Sequence, residues 1–174
     1  MTALLLAAGF GERLRPITNF LPKCMVPVCG VPLLEYWLQL LENAGVSKII
    51  INTHYLASIV EKYIGNRNNR SAIQLVFEKE LLGTGGTILA NQSHLGKDPF
   101  LVVHADNLSF FNVEEFQKCF LLQSDDINIG MLLFNTLMPK SSGIVVLDRN
   151  NVIREFHEKA ENPPGQLANA AVYM

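Results

Sequence analysis

The stretch Thr2-Ala3-Leu4-Leu5-Leu6-Ala7-Ala8-Gly9-Phe10-Gly11-Glu12-Arg13-Leu14-Arg15, continued by Pro16-Ile17-Thr18 and Pro22-Lys23, decides the fold. Thr2 to Ala7 is a continuous apolar run that ends at glycine, without the alternation of a half-exposed strand. That pattern predicts a strand buried on both faces of a parallel sheet. In open α/β sheets ligands bind outside the carboxyl ends of the strands, so the loop that follows is where a site belongs. Glycines at 9 and 11 let the backbone approach an anion and aim its N–H groups at it. Arg13, Arg15 and Lys23 add cations, the arginines as bidentate forks and the lysine as a point charge. A dinucleotide fingerprint needs a third glycine where Leu14 stands. A P-loop needs Gly-Lys followed by Ser or Thr, which the chain lacks. A tight turn with solvated arginines is the plain alternative.

Working outward, the spacing of Leu34, Trp37, Leu38 and Leu41 predicts a helix over Leu33 to Ala44, with Gly45 beyond its end. Strands are expected at Lys48 to Asn52, Ile73 to Phe77, Phe100 to His104, Ile127 to Phe134, Gly143 to Leu147, Val152 to His157 and Ala168 to Met174. Helices are expected at Ala57 to Ile64, closed by Gly65, at Thr87 to Asn91 behind a glycine-rich entry, and at Val113 to Gln123. Strand and helix alternate first and strands dominate the last third, which predicts one α/β domain over residues 1–174 with a mixed, mostly parallel sheet.

The 174 residues are 49% hydrophobic and 17% charged, enough for a packed core. A net charge of −2 gives no reason to expect a nucleic-acid or membrane-surface partner. Cys24, Cys29 and Cys119 form no CxxC pair, and the apolar N-terminus lacks a basic region and is too short to span a bilayer. The expectation is a cytoplasmic protein. The chain stops at Tyr173-Met174 inside an apolar run, which reads as a domain truncated at its C-terminal end. An uncovered sheet edge would also admit a homo-oligomer.

LLAAGFGERLRPIT, followed by PKCMVPVCGVPLLEYWL, resembles the opening signature of the sugar-1-phosphate nucleotidylyltransferases. Among these, the mannose- and heptose-1-phosphate guanylyltransferases and glucose-1-phosphate thymidylyltransferases are similar. The likeness continues through INTHYLASIVEKYI, FEKELLGTGG, VVHADN, GIVVLD and FHEKAENPPGQLANAAVYM. It implies a Rossmann-like nucleotide-diphospho-sugar transferase fold, a three-layer α/β/α arrangement. It also implies transfer of a nucleotidyl group from an NTP to a sugar 1-phosphate, with release of pyrophosphate and dependence on Mg²⁺.

Carried over residue by residue, the resemblance implies that Arg13 and Lys23 contact the triphosphate beside Ala7, Ala8, Gly9 and Gly11 of the loop. Asp106 would bind Mg²⁺, in a turn that has Ala105 where relatives carry glycine; an Asx turn is the bland reading. Glu78, Gly83 and Thr84 would receive the base, although Gly-Thr-Gly-Gly also reads as an ordinary helix entry. A carboxylate at 78 suits guanine N1–H and N2–H₂ together, which leans toward GTP, while uracil and thymine each offer one ring N–H. Gly143, Glu158, Lys159 and Asn169 would hold the sugar 1-phosphate; a solvated strand end is the alternative for the charged pair. Relatives carry a second metal-binding aspartate beyond the segment that ends at Met174. A nucleotide- or sugar-phosphate-binding module with weak catalysis is therefore the second functional reading.

Overall fold

The computed structural model describes residues 1–124 and 126–174. They form two compact bodies, Met1–Gln123 with Met174, and Ser124–Tyr173.

In the first body the chain runs β1 (Thr2–Leu6), a small hairpin of β2 (Pro27–Val28) and β3 (Val31–Pro32), α1 (Leu33–Asn43) and β4 (Lys48–Thr53). It continues through α2 (Ala57–Asn66), β5 (Ala72–Phe77), α3 (Gly83–Ala90), α4 (Gln92–Leu95), β6 (Phe100–His104) and α5 (Val113–Leu121). β1 pairs in parallel with β4 and β6, and β4 with β5, so the order is β5-β4-β1-β6. Consecutive residues Ala3, Leu4 and Leu5, and likewise Ile49, Ile50 and Ile51, are fully buried. Burial of neighbouring positions means that both faces of these strands are covered, as the unbroken apolar runs predict. α1 buries Leu34, Trp37, Leu38 and Leu41, and the Trp37 indole N–H donates to the Asn107 carbonyl at 2.9 Å.

Several elements depart from the sequence expectation. Gly65 lies inside α2, whose end is set by the extended backbone at Arg67. α3 begins within the glycine run at Gly83, four residues before the expected Thr87. A Cβ on Gly86 would stand 2.9 Å from the Leu82 Cβ, so packing selects glycine there despite its poor helix propensity. The β2–β3 hairpin, unforeseen, turns on Cys29-Gly30 with φ of 50° and 80°, the doubly positive geometry of a two-residue loop. The single turn of α4 is too short for any periodicity to signal it.

The second body holds β7 (Met131–Asn135), β8 (Gly143–Leu147), β9 (Ile153–Glu158) and β10 (Leu167–Tyr173). Paired with one another they run antiparallel, in the order β7-β10-β8-β9. Parallel strands in one body and antiparallel strands in the other give the mixed α/β class expected. β7 starts at Met131 rather than Ile127, because the Ile127 N–H closes a turn on the Ser124 carbonyl at 2.9 Å. Among the described residues no helix is long and apolar enough to cross a membrane.

An ion cluster braces α1 against the segment after α2. The Arg67 guanidinium donates to Glu35 at 2.7 and 3.0 Å and to both oxygens of Glu42 at 2.8 Å. Those hydrogen bonds outweigh burial and hold the Glu42 carboxyl down at about 2. A folded-state value below the unfolded one stabilises at pH above the usual glutamate range and is lost as pH falls through the folded value. Urea midpoints are therefore expected to fall between about pH 4.5 and pH 2, and Glu42→Gln should flatten that part of the profile.

Candidate functional site

The strand order places the site. From β1 the chain moves to β4 and β5 on one side, then returns to β6 on the other, so the switch point lies between β1 and β6. A crevice forms there, outside the carboxyl ends of the strands. Leu6 pairs with His104 in register, and the Ala105 N–H donates to the Leu6 carbonyl at 3.0 Å. The loop after β1 and the turn carrying Asp106 are thereby set side by side. Ala105 is fully buried and outside the left-handed region, so this turn accepts a Cβ.

Gly11, with φ of 65°, turns the loop. A Cβ there would lie 2.9 Å from Thr18 Cγ2 and 3.0 Å from Lys23 Cβ. The Thr18 hydroxyl donates to the Gly11 carbonyl at 2.8 Å, and the Leu14 N–H donates to the same carbonyl at 2.9 Å. Pro22, Cys24 and Met25 are buried, which anchors the backbone on either side of Lys23. The Lys23 ammonium donates to Asp106 Oδ2 at 2.7 Å. A cleft of about 220 Å³ is lined by Ala8, Gly9, Lys23, Glu78, Thr84 and Asp106, among others. A second, of about 350 Å³, shares Gly9, Lys23 and Asp106 and adds Gly11 and the exposed Arg13.

Glycines 9 and 11 separate cleanly. A Cβ on Gly9 meets nothing within 4 Å. Gly9→Ala is expected to change stability by no more than about 0.5 kcal/mol yet weaken binding of pyrophosphate, titrated as a probe anion, about tenfold, by blocking backbone approach. Gly11→Ala should cost roughly 1–3 kcal/mol in stability through its positive φ and the crowding at Thr18. Thermal unfolding and calorimetric titration of the two variants check both.

The base-loop residues divide. Gly83 and Thr84 line the 220 Å³ cleft, and the Thr84 hydroxyl lies 3.2 Å from His104 Nε2. Burial lowers the His104 pKa against the upward pull of Asp106, which favours the neutral imidazole. Glu78 is 5% exposed, and its Oε1 accepts from Asn52 at 3.0 Å and from the Thr87 hydroxyl at 2.5 Å. Asn52 Oδ1 in turn accepts from the Ala7 N–H at 2.6 Å. The Ala7 amide is thus committed within the protein, and Ala7 offers a wall rather than a donor. Asn52 and Thr87 are site residues that the sequence reading missed; a polar residue ending the buried run KIIIN was the available signal.

In the second body, Gly143 pairs with Glu158 in register. A Cβ on Gly143 would meet Phe156 Cζ at 2.6 Å and Glu158 Oε2 at 2.8 Å, so glycine leaves room for both side chains. Lys159 Nζ lies 3.3 Å from Glu158 Oε1, both side chains being more than half exposed. Asn169 differs. Its amide donates to the Tyr173 hydroxyl at 2.7 Å and accepts from the Ala171 N–H at 2.8 Å, spanning an irregularity in β10 where Ala171 has φ of 56°.

All three cysteines are free. Burial pushes the Cys24 thiol up to about 12, so it stays protonated and is no nucleophile. Among the described residues no group of three or more His, Cys, Asp or Glu gathers as a metal cluster. Asp106 offers a carboxylate where the two clefts meet, beside the loop cations. That suits a hard cation that keeps its waters and shares phosphate oxygens.

A family model described as nucleotidyl transferase matches residues 2–174. The bifunctional sugar-1-phosphate nucleotidylyltransferase/acetyltransferase of Sulfurisphaera tokodaii is 36% identical over 174 residues, 99% of this chain and 40% of that protein. The mannose-1-phosphate guanylyltransferase of Mycobacterium tuberculosis is 32% identical over 99% of this chain and 48% of that protein. This chain thus spans half or less of the length of these relatives. The crystal structure of HddC from Yersinia pseudotuberculosis complexed with GMP-PN superposes with a TM-score of 0.79 at 27% identity, covering 99% of this chain and 75% of that one. The fold is the Rossmann-like one of the nucleotide-diphospho-sugar transferases. With the glycine loop, Lys23 and Asp106 meeting at the switch point, and the match running from residue 2 to residue 174, the chain belongs to the nucleotidyl transferase family.

Proposed function

We propose that this protein transfers a nucleotidyl group from an NTP to a sugar 1-phosphate and releases pyrophosphate. The observation that carries the reading is the convergence of Gly9, Gly11, Arg13, Lys23 and Asp106 on two clefts that share Gly9, Lys23 and Asp106. A sugar-phosphate oxygen attacks the α-phosphorus as the bond to pyrophosphate breaks. The step needs no covalent intermediate, in keeping with the protonated Cys24.

The chain's own residues supply position and charge. The loop backbone and Arg13 hold the leaving phosphates, where preorganised donors stabilise charge without reorganising. Lys23 is already fixed at the cleft by Asp106 and turns its ammonium to the triphosphate. Asp106 would hold Mg²⁺, which would supply positive charge to offset that of the triphosphate. Gly83 and Thr84 receive the base, and Glu158 and Lys159 of the second body take the sugar 1-phosphate, with room left by Gly143. Asn169, its amide engaged within β10, keeps only a secondary part in that reading.

GTP is the nucleotide we assign first. The guanylyltransferase relative and the GMP-PN complex support it, and Glu78 does not: its Oε1 is already taken by Asn52 and Thr87. Incubating the full chain with each NTP, Mg²⁺ and a panel of sugar 1-phosphates, and measuring pyrophosphate, tests the proposal. Release with one nucleotide–sugar pair well above the others is expected. Tight nucleotide binding with no release for any pair would overturn it and leave a binding module.

A further inference from the structure

We propose that Asn52 is a positioning residue that ties the phosphate loop to the base loop, so that one buried side chain assembles both halves of the nucleotide site. The inference rests on the nucleotide reading above and concerns how that site is held.

Asn52 sits at the carboxyl end of β4, opposite Leu6 in register, and is 3% exposed. Its Oδ1 takes the Ala7 N–H, the first amide beyond β1. Its Nδ2 lies 3.0 Å from Glu78 Oε1 and 3.3 Å from Thr87 Oγ1. The Thr87 hydroxyl spends its proton on Glu78, so it faces Asn52 as an acceptor. Glu78 Oε2 reaches back to the Leu82 N–H at 3.5 Å, at the entry to α3. Ala7, Asn52, Glu78 and Thr87 are all at least nine-tenths buried. An unmatched polar atom here would bear its full desolvation cost.

The polarity of the amide is what the position requires. The loop presents a donor and Glu78 presents an acceptor, and an amide offers one of each. Aspartate at 52 could still accept from Ala7, but it would set a second carboxylate against Glu78. The same accounting makes Glu78 a scaffold for the base loop through Oε1.

A reciprocal exchange tests this. In Asn52→Asp, hydrogen exchange of backbone amides in segments 7–11 and 82–87 is expected to speed about tenfold together, without any ligand. In Glu78→Gln, where the amide oxygen can still accept from Asn52 and Thr87, exchange should stay near wild type. In the double variant, Asn52→Asp with Glu78→Gln, the amide now at position 78 donates to the carboxylate now at position 52. Both segments should then return to within about threefold of wild type. Acceleration in only one segment, no acceleration, or a double variant as perturbed as Asn52→Asp would each overturn the proposal. A double variant that fails to fold also counts against it. Calorimetric titration with GTP, UTP and dTTP on the same proteins is expected to show weakened binding in Asn52→Asp and recovery in the double. If wild type binds none of the nucleotides, the nucleotide reading fails, while the exchange data still decide the tie.

Discussion

Asp106→Asn is expected to slow pyrophosphate release by roughly 10²–10³-fold, a loss of the size that follows removal of one preorganised electrostatic contact from an active site. The carboxylate stands at the switch-point crevice and is the acidic group in the cleft whose oxygen the Lys23 ammonium contacts at 2.7 Å. Asparagine keeps the shape and can accept from Lys23, but it removes the charge that would hold a hard cation. Stability should change little, because the pair is partly solvated, with side chains 22% and 43% exposed. The measurement is the initial rate against free Mg²⁺ at saturating NTP and sugar 1-phosphate. A variant within twofold of wild type across the titration would remove Asp106 from the reaction.

Arg67→Met is expected to cost roughly 3–5 kcal/mol of folding free energy, because it strands two carboxylates that Arg67 bridges. Glu42 is 1% exposed and Glu35 13% at the side chain, while Arg67 itself is 11% exposed. Neighbouring Arg70 is the internal control. It is 59% exposed and meets Glu42 at 3.5 Å, so Arg70→Met should cost no more than about 1 kcal/mol. Urea unfolding of both variants at pH 7 makes the comparison. Equal losses would show that burial of the cluster does not govern its energetics.

Much of the first body can be read from residue order. Runs such as ALLL and KIIIN predict doubly buried strands because no partner is needed to see that neither face admits water. The Leu34-Trp37-Leu38-Leu41 spacing places α1 to within one residue, with Gly45 just past its end at φ of 71°. The short hairpin at Cys29-Gly30 and the early start of α3 are hidden from such a reading. Both depend on a local conformation or a packing contact that no periodicity encodes.

The loop on which the fold turns keeps its place. By itself the sequence determined a buried strand, a glycine turn and nearby cations, the features from which an anion site at a strand end is proposed. Gly11 is necessary there for a reason only the structure shows, the side chains of Thr18 and Lys23 pressed against it. Tertiary structure also decided which charges act together. Lys23 and Asp106 are 83 positions apart and meet because β1 and β6 are neighbours in the sheet. It decided, too, that Glu78 faces Asn52 and Thr87 and that Asn169 serves its own strand. Residue types are local properties. A hydrogen-bond partner is set by where the chain returns, and a buried polar group takes the partner that the fold brings to it.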